Sequence, residues 1–235
     1  MRSDGATRVH VSLAELRVAA SRALEGAGAP AGTERDGARS AVWLESRGLR
    51  GTAALLLDLH TIAATEGRTP SIAGHRAELA GFPILVWGST LVELAMLEAG
   101  TSIMLQDCPS PRALLPEAAA QAGRGWCFQL AAGEGRASVA GAELYLDGSF
   151  AELDSADVRL VATALRPVSG LPPAPSRASL TAADLEARHA ISLANGLRLA
   201  PCDWSRIRVA AARILVPASE RSRSRGAGAE VDDNE

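Results

Sequence analysis

Residues 126–148 read WCFQLAAGEGRASVAGAELYLDG. Short apolar runs, WCFQLA and then RASVAGAELYLDG, are punctuated by Gly133, Gly135, Gly141 and Gly148, a pattern that predicts β-strands joined by glycine turns. VRLVATAL (158–165) continues it. Upstream, FPILVWG (82–88) and TSIMLQD (101–107) are apolar runs bounded by Gly, Pro and Asp, and both read as buried strands. STLVELAMLEAG between them has helical spacing. PRALLPEAAAQAG (111–123) reads as a helix that Pro116 either kinks or starts. Alternation of this kind places the chain in the α/β or α+β class, with a mixed sheet in the middle.

Outward from that centre the segments turn helical. In VSLAELRVAASRALEGAG, Ser12 and Glu15 form a capping box, and Leu13, Leu16, Ala20, Ala23 and Leu24 make one apolar stripe, with Gly26 as the stop. Two more helices are expected, at about Thr33–Arg47 and Ala53–Glu66, ended by Gly48 and Gly67. SGLPPAPSRAS (169–179) reads as a linker. Thr181 and Asp184 cap the next helix, Leu180 and Leu185 can staple it, and Gly196 ends it. Asp203 is read as the cap of a last helix, 204–215, that Pro217 terminates. The expected layout is a single domain: an N-terminal helical unit (11–67), a mixed α/β part (80–166), the linker, C-terminal helices (181–216) and a tail (217–235).

Composition excludes several chemistries. All 24 basic residues are arginine, so a Schiff-base lysine and the usual phosphate-loop lysine are both absent. The net charge of −3 offers nucleic acid no general attraction. Cys108, Cys127 and Cys202 lie far apart without C-x-x-C spacing, and the four histidines form no H-x-x-x-H pair, so no metal site is expected. No apolar run approaches the ~18 residues a membrane span needs, and residues 1–10 lack the apolar core of a signal peptide. The expected setting is the reducing cytoplasm. GAGAPAG and GEGRAS have the wrong spacing or context for a dinucleotide fingerprint and read as turns, and no G-x-S-x-G elbow is present.

A few residues stand as site candidates. His189 follows Glu186 by one helical turn, so the carboxylate can orient the imidazole or raise its pKa; an exposed helix pair is the plainer reading. His60, beside Asp58 in a leucine-rich helix, reads as a satisfied core histidine. Asp107 and Cys108 follow an expected strand, at the kind of junction where open α/β sheets place ligands. The closing segment is the strongest candidate. Ser219, Glu220, Arg221, Ser222, Arg223, Arg225, Gly226 and Gly228 combine guanidinium groups suited to carboxylate or phosphate with a backbone that can approach an anion. A solvated terminus is the alternative.

Four stretches carry a family resemblance: VSLAELRVAASRALEGAGAP, ARSAVWLESRGLRG, CPSPRALLP and VPASERSRSRGAGA, with Asp233-Asn234 near the end. On these the chain resembles a bacterial family, domain of unknown function 3726, over nearly its whole length. The resemblance implies a bacterial source and no established activity. Residues 11–67, with a Gly-Ala-Gly break and Arg-Gly-Leu-Arg-Gly, also look like the start of the type-2 malate/lactate dehydrogenases. Those enzymes have a non-standard nicotinamide-binding fold and carry Ser-His-Gly just after this point, where the present chain has GTAALLLDLH. Three functions follow as expectations. The first is a protein that binds or converts a small anionic metabolite through the C-terminal Arg/Ser segment. The second is a non-catalytic interaction or assembly protein, including a homo-oligomer. The third is a degenerate nicotinamide-dependent dehydrogenase.

Overall fold

The structure is a computed structural model that describes residues 8–62, 64, 69–152, 155–164 and 178–214. Strand β1 (Val9–Val11) leads into helices α1 (Leu13–Ala27), α2 (Thr33–Ser46) and α3 (Gly51–Ile62). A hairpin of β2 (Ser71–Ala73) and β3 (Arg76–Glu78) precedes α4 (Ile84–Leu97) and β4 (Ser102–Pro109). A 3-10 turn, Pro111–Leu114, runs into α5 (Leu115–Ala122). Then come β5 (Trp126–Ala132), β6 (Gly135–Ala140), β7 (Glu143–Asp147), α6 (Gly148–Glu152) and β8 (Ser155–Ala164). The described chain ends with β9 (Ala178–Thr181), α7 (Ala182–Asn195), β10 (Leu197–Leu199), α8 (Pro201–Ala211) and a 3-10 turn, Ala212–Ile214.

Eight strands form one mixed sheet in the order β2-β3-β4-β8-β5-β6-β7-β9. Only β3 and β4 run parallel; the other neighbours are antiparallel. β1 and β10 make a separate antiparallel pair, Val9 to Leu199. α4 and α5 lie against the sheet, α2 and α3 pack on α4, and α1 is sandwiched between α2 and α8. A continuous core runs through these layers, from Leu16 and Leu24 through Leu44 and Ile84 to Phe128 and Leu160.

The fold class is therefore the mixed α/β arrangement that the glycine-punctuated middle predicts. Ser12 accepts from the Glu15 amide at 3.1 Å and Glu15 returns a bond to the Ser12 amide at 2.8 Å, so the expected capping box is present. Thr181 and Asp184 repeat it on α7. The helix α1 ends two residues later than expected: Gly28, at φ 95°, takes the left-handed cap, while Gly26 stays helical and packs against α8.

Other boundaries differ for physical reasons. FPILVWG is not a strand, because Ile84 begins α4 and its apolar run merges with the helical spacing of the next ten residues. A short apolar run cannot tell a buried strand from a buried helix start, and here burial on several sides made both readings equivalent. The helix α8 starts at Pro201, a favoured first helical position, so Asp203 lies inside its first turn. β9 takes the last two positions of the expected linker. The three-residue strands β1, β2, β3 and β10 are too short to leave a periodic signal.

Candidate functional site

Polar groups converge where the end of α2 meets α7. The Arg47 side chain is buried against the Trp43 ring, its guanidinium carbon 4.4 Å from the ring centroid. Its Nη2 donates to Glu186 Oε1 at 2.6 Å, and its Nη1 reaches the Trp43 carbonyl and Ser46 Oγ, each at 3.4 Å. Ser46 Oγ donates to the Trp43 carbonyl at 3.1 Å and lies 3.0 Å from His189 Nδ1. With the one hydroxyl proton spent on Trp43, the imidazole must donate from Nδ1, which leaves Nε2 as the acceptor. Arg188 and Ser192 add bonds to the carbonyls of Arg47 and Ser46 at 3.4 and 2.9 Å.

This network changes the reading of the Glu186–His189 pair. Glu186 pairs with Arg47 instead of orienting the imidazole, because a buried guanidinium attracts the carboxylate more strongly than a neutral ring does. Burial and then the Arg47 charge hold the His189 pKa below its ordinary value, with Glu186 pulling weakly the other way. Leu185 is the only α7 side chain buried among the described residues, so the polar network is what fastens this helix to α2. Such an arrangement positions a helix; its donors and acceptors are largely spent on one another.

Asp107 and Cys108 sit within β4, at a bulge where the pairing with β8 shifts between Leu105 and Cys108. Asp107 takes a left-handed backbone, φ 48°, and its amide donates to Asp157 Oδ1 at 2.8 Å. Cys108 turns into the core, and burial, then the Asp58 charge, pushes its thiol far up. The structure does not bring this pair together with the α2–α7 network.

Asp58 itself is a feature that sequence reading missed. It is the buried member of the Asp58/His60 pair, while His60 faces solvent, the reverse of the core-histidine expectation. Its carboxylate accepts from the amides of Ile84 at 3.2 Å and Leu85 at 2.7 Å, with Val86 as a third donor. Asp58 thus caps α4 from another helix, since Pro83 at the cap position has no side-chain acceptor. Burial outweighs these three donors and pushes its pKa up to about 8.

Cationic groups gather at a groove between α1 and α2 of roughly 800 Å3. Spacing by four residues sets Leu13, Arg17 and Ser21 in one row and Ala14, Val18 and Arg22 in the next. α2 supplies the facing wall, Arg35, Ala38 and Val42. Among the described residues Arg17 and Arg22 have no carboxylate partner, and Arg35 has only Glu34, with Nε and Oε1 4.0 Å apart. These two rows are exposed or half-buried and border the apolar stripe of α1 at Leu13. A second groove, between α1 and α8, shares Ala14, Val18 and Arg22 and adds Trp204 and Arg208.

The C-terminal candidates, Ser219, Glu220, Arg221, Ser222, Arg223, Arg225, Gly226 and Gly228, lie outside the described residues. Among the described residues no group of three or more His, Cys, Asp or Glu side chains is placed to hold a metal, and no helix is long and apolar enough to cross a membrane.

The fold has counterparts among solved structures. A dehydrogenase from Sinorhizobium meliloti superposes with a TM-score of 0.58 at 13% identity, covering 87% of this chain and 100% of that one. Malate dehydrogenase from Entamoeba histolytica gives a TM-score of 0.56 at 10% identity, covering 90% of this chain and 100% of that one. At such identities the likeness is one of fold. More specifically, the model of a family described as a protein of unknown function (DUF3726) matches residues 11–80. That span holds the first two stretches on which the resemblance rests; CPSPRALLP and the C-terminal stretch fall beyond it. No curated protein matches the chain.

Proposed function

We propose that this protein binds a small anionic metabolite through arginine, on a dehydrogenase-like fold that has lost hydride-transfer chemistry. The observation that carries the reading is the α1–α2 groove, where Arg17, Arg22 and Arg35 surround an apolar floor. Guanidinium groups suit carboxylate and phosphate because their forked donors match both geometries. The loss of chemistry is supported by the stretch after Arg-Gly-Leu-Arg-Gly: GTAALLLDLH builds α3, contains no Ser-His-Gly, and buries Ala54 and Leu55 in the core. The Arg221, Arg223 and Arg225 segment is proposed to add cationic charge for the same ligand.

A thermal-shift panel of phosphate, succinate and related metabolites tests this reading, with an Arg17→Glu/Arg22→Glu/Arg35→Glu variant beside the wild type. An anion at 100 times its dissociation constant stabilises a fold by ~2.7 kcal/mol. The wild type is expected to respond and the triple variant to stay flat. Equal responses in both proteins would sink the reading. Titration with nicotinamide cofactors tests the degenerate-dehydrogenase component, and a chain ending at Val216 tests the terminal arginines.

The assembly reading has one observation of its own. Ile191 and Leu193 are 62% and 63% exposed on α7, which buries little else. Sedimentation of the wild type and Ile191→Asp addresses it: a dimer that the substitution dissociates supports assembly, and a monomer in both cases removes it.

A further inference from the structure

The groove between α1 and α8 is where the described chain leaves the fold. Trp204 and Arg208 stand one turn apart on α8, as Val18 and Arg22 do on α1, so each wall of this cleft of roughly 530 Å3 carries one guanidinium group. Among the described residues neither Arg22 nor Arg208 has a carboxylate partner. Glu15 also lines the cleft, but its carboxylate is turned to Ser12 and accepts from the amide and the hydroxyl there, each at 2.8 Å. Glu25, exposed on the same helix, makes no ion pair with Arg22. The chain exits beside these groups. Ala212 lines the cleft and opens the 3-10 turn Ala212–Ile214, and Ile214 packs beside Gly26 near the end of α1.

We propose that residues 230–235 dock in the α1–α8 cleft as an internal anion, with their carboxylates on Arg22 and Arg208. These residues lie outside the described ones, and their sequence is the charge complement of the cleft: Glu230, Asp232, Asp233 and Glu235 put four carboxylates in six positions. Residues 215–229 join Ile214 to Glu230. A connection of that length reaches ~50 Å when extended and ~20 Å as a coil, against ~12 Å of helix from Trp204 to Ala212. It therefore reaches every point of the cleft, and the tether holds the carboxylates there at about millimolar local concentration. Each exposed ion pair multiplies the docking constant by up to about fivefold, so pairs that are weak between separate molecules become populated. Arg22 also lines the α1–α2 groove, so the docked segment and a metabolite compete for one guanidinium. The inference goes beyond the metabolite reading and does not rest on it.

The test compares amide chemical shifts of the full chain with those of a full-length Glu230→Gln/Asp232→Asn/Asp233→Asn/Glu235→Gln variant, at about 20 mM and about 500 mM salt. Neutralising the four acids should move the amides of Ala14–Arg22 and Trp204–Ala212 at low salt, and the difference should fade at high salt. It should disappear when both proteins also carry Arg22→Gln/Arg208→Gln; the two arginines are exposed, so the fold should tolerate the change, and circular dichroism checks it. Differences that persist without those arginines, as pairing of the acids with Arg221, Arg223 and Arg225 would give, overturn the inference. So do differences confined to other elements, and differences that vanish on dilution, which would place the segment on a second copy. Succinate titration separates this inference from the metabolite reading. Release of Arg22 should tighten succinate binding by about threefold in the neutralised variant. If succinate binds neither protein while the shift differences stand, the metabolite reading falls and the docking survives. If succinate binds both alike and the shifts do not differ, the docking alone falls.

Discussion

The buried carboxylate of Asp58 offers the sharpest stability test. Replacing it with alanine leaves the amides of Ile84, Leu85 and Val86 without their acceptor in a region where those residues are at most 3% exposed. Each orphaned donor costs ~1–3 kcal/mol, so Asp58→Ala should lose about 3–9 kcal/mol, a large fraction of the ~5–15 kcal/mol that holds a typical domain. Asp58→Asn keeps the volume and one acceptor but loses the second, and should cost about 1–2 kcal/mol at pH 5.5. The pH dependence separates charge from packing. The folded pKa of about 8 stands above the ordinary carboxylate value, so between the two the folded protein holds a proton that the unfolded chain has released. Stability from this group is fully present below ~pH 4 and is lost as pH rises towards 8, by at most ~1.4 kcal/mol per unit. Urea unfolding followed by circular dichroism should therefore show the advantage of wild type over Asp58→Asn falling by about 3 kcal/mol between pH 5.5 and 8.5, so that Asp58→Asn becomes the more stable protein at the upper end. An advantage constant across that range would refute the argument.

Other perturbations probe the packing around it. Glu186→Gln strips the partner from a buried guanidinium, but Glu186 is 63% exposed, so the expected loss is only about 1 kcal/mol. The same variant should loosen α7, read as faster hydrogen exchange there. His189 should titrate below the ordinary histidine range by NMR; its folded pKa is depressed, so its contribution to stability is present above that ordinary value and lost on acidification through the folded pKa. Gly51→Ala would drive a methyl group against the Ala41 carbonyl and to 2.6 Å from the Glu45 amide, and should cost ~3 kcal/mol or more in urea unfolding. An aromatic disulfide reagent should modify exposed Cys202 quickly and leave Cys108 unmodified in the native protein.

The sequence made some of this legible and left some of it dark, for identifiable reasons. Capping boxes at Ser12 and Thr181 and the glycine turns around β5, β6 and β7 are local signals, and the elements that they predict are present. FPILVWG misled because its partner is distant: the cap for α4 comes from Asp58, 26 residues earlier. The Arg47–Glu186 bond spans 139 residues, so reading Glu186 beside His189 supplied the wrong partner. Arg17, Arg22 and Arg35 drew no reading from the sequence, because only the α1–α2 hairpin sets them along one groove. Solvent-facing rows carry no periodic signature of a ligand.

The proposed function meets its most direct test in amide chemical-shift mapping of the isotope-labelled full chain during titration with succinate and then inorganic phosphate. Saturable shifts are expected at Leu13–Arg22 and Arg35–Val42 with either anion. Saturable shifts confined to α7 and the 47–51 loop, or no saturable shifts, would contradict anion binding between α1 and α2.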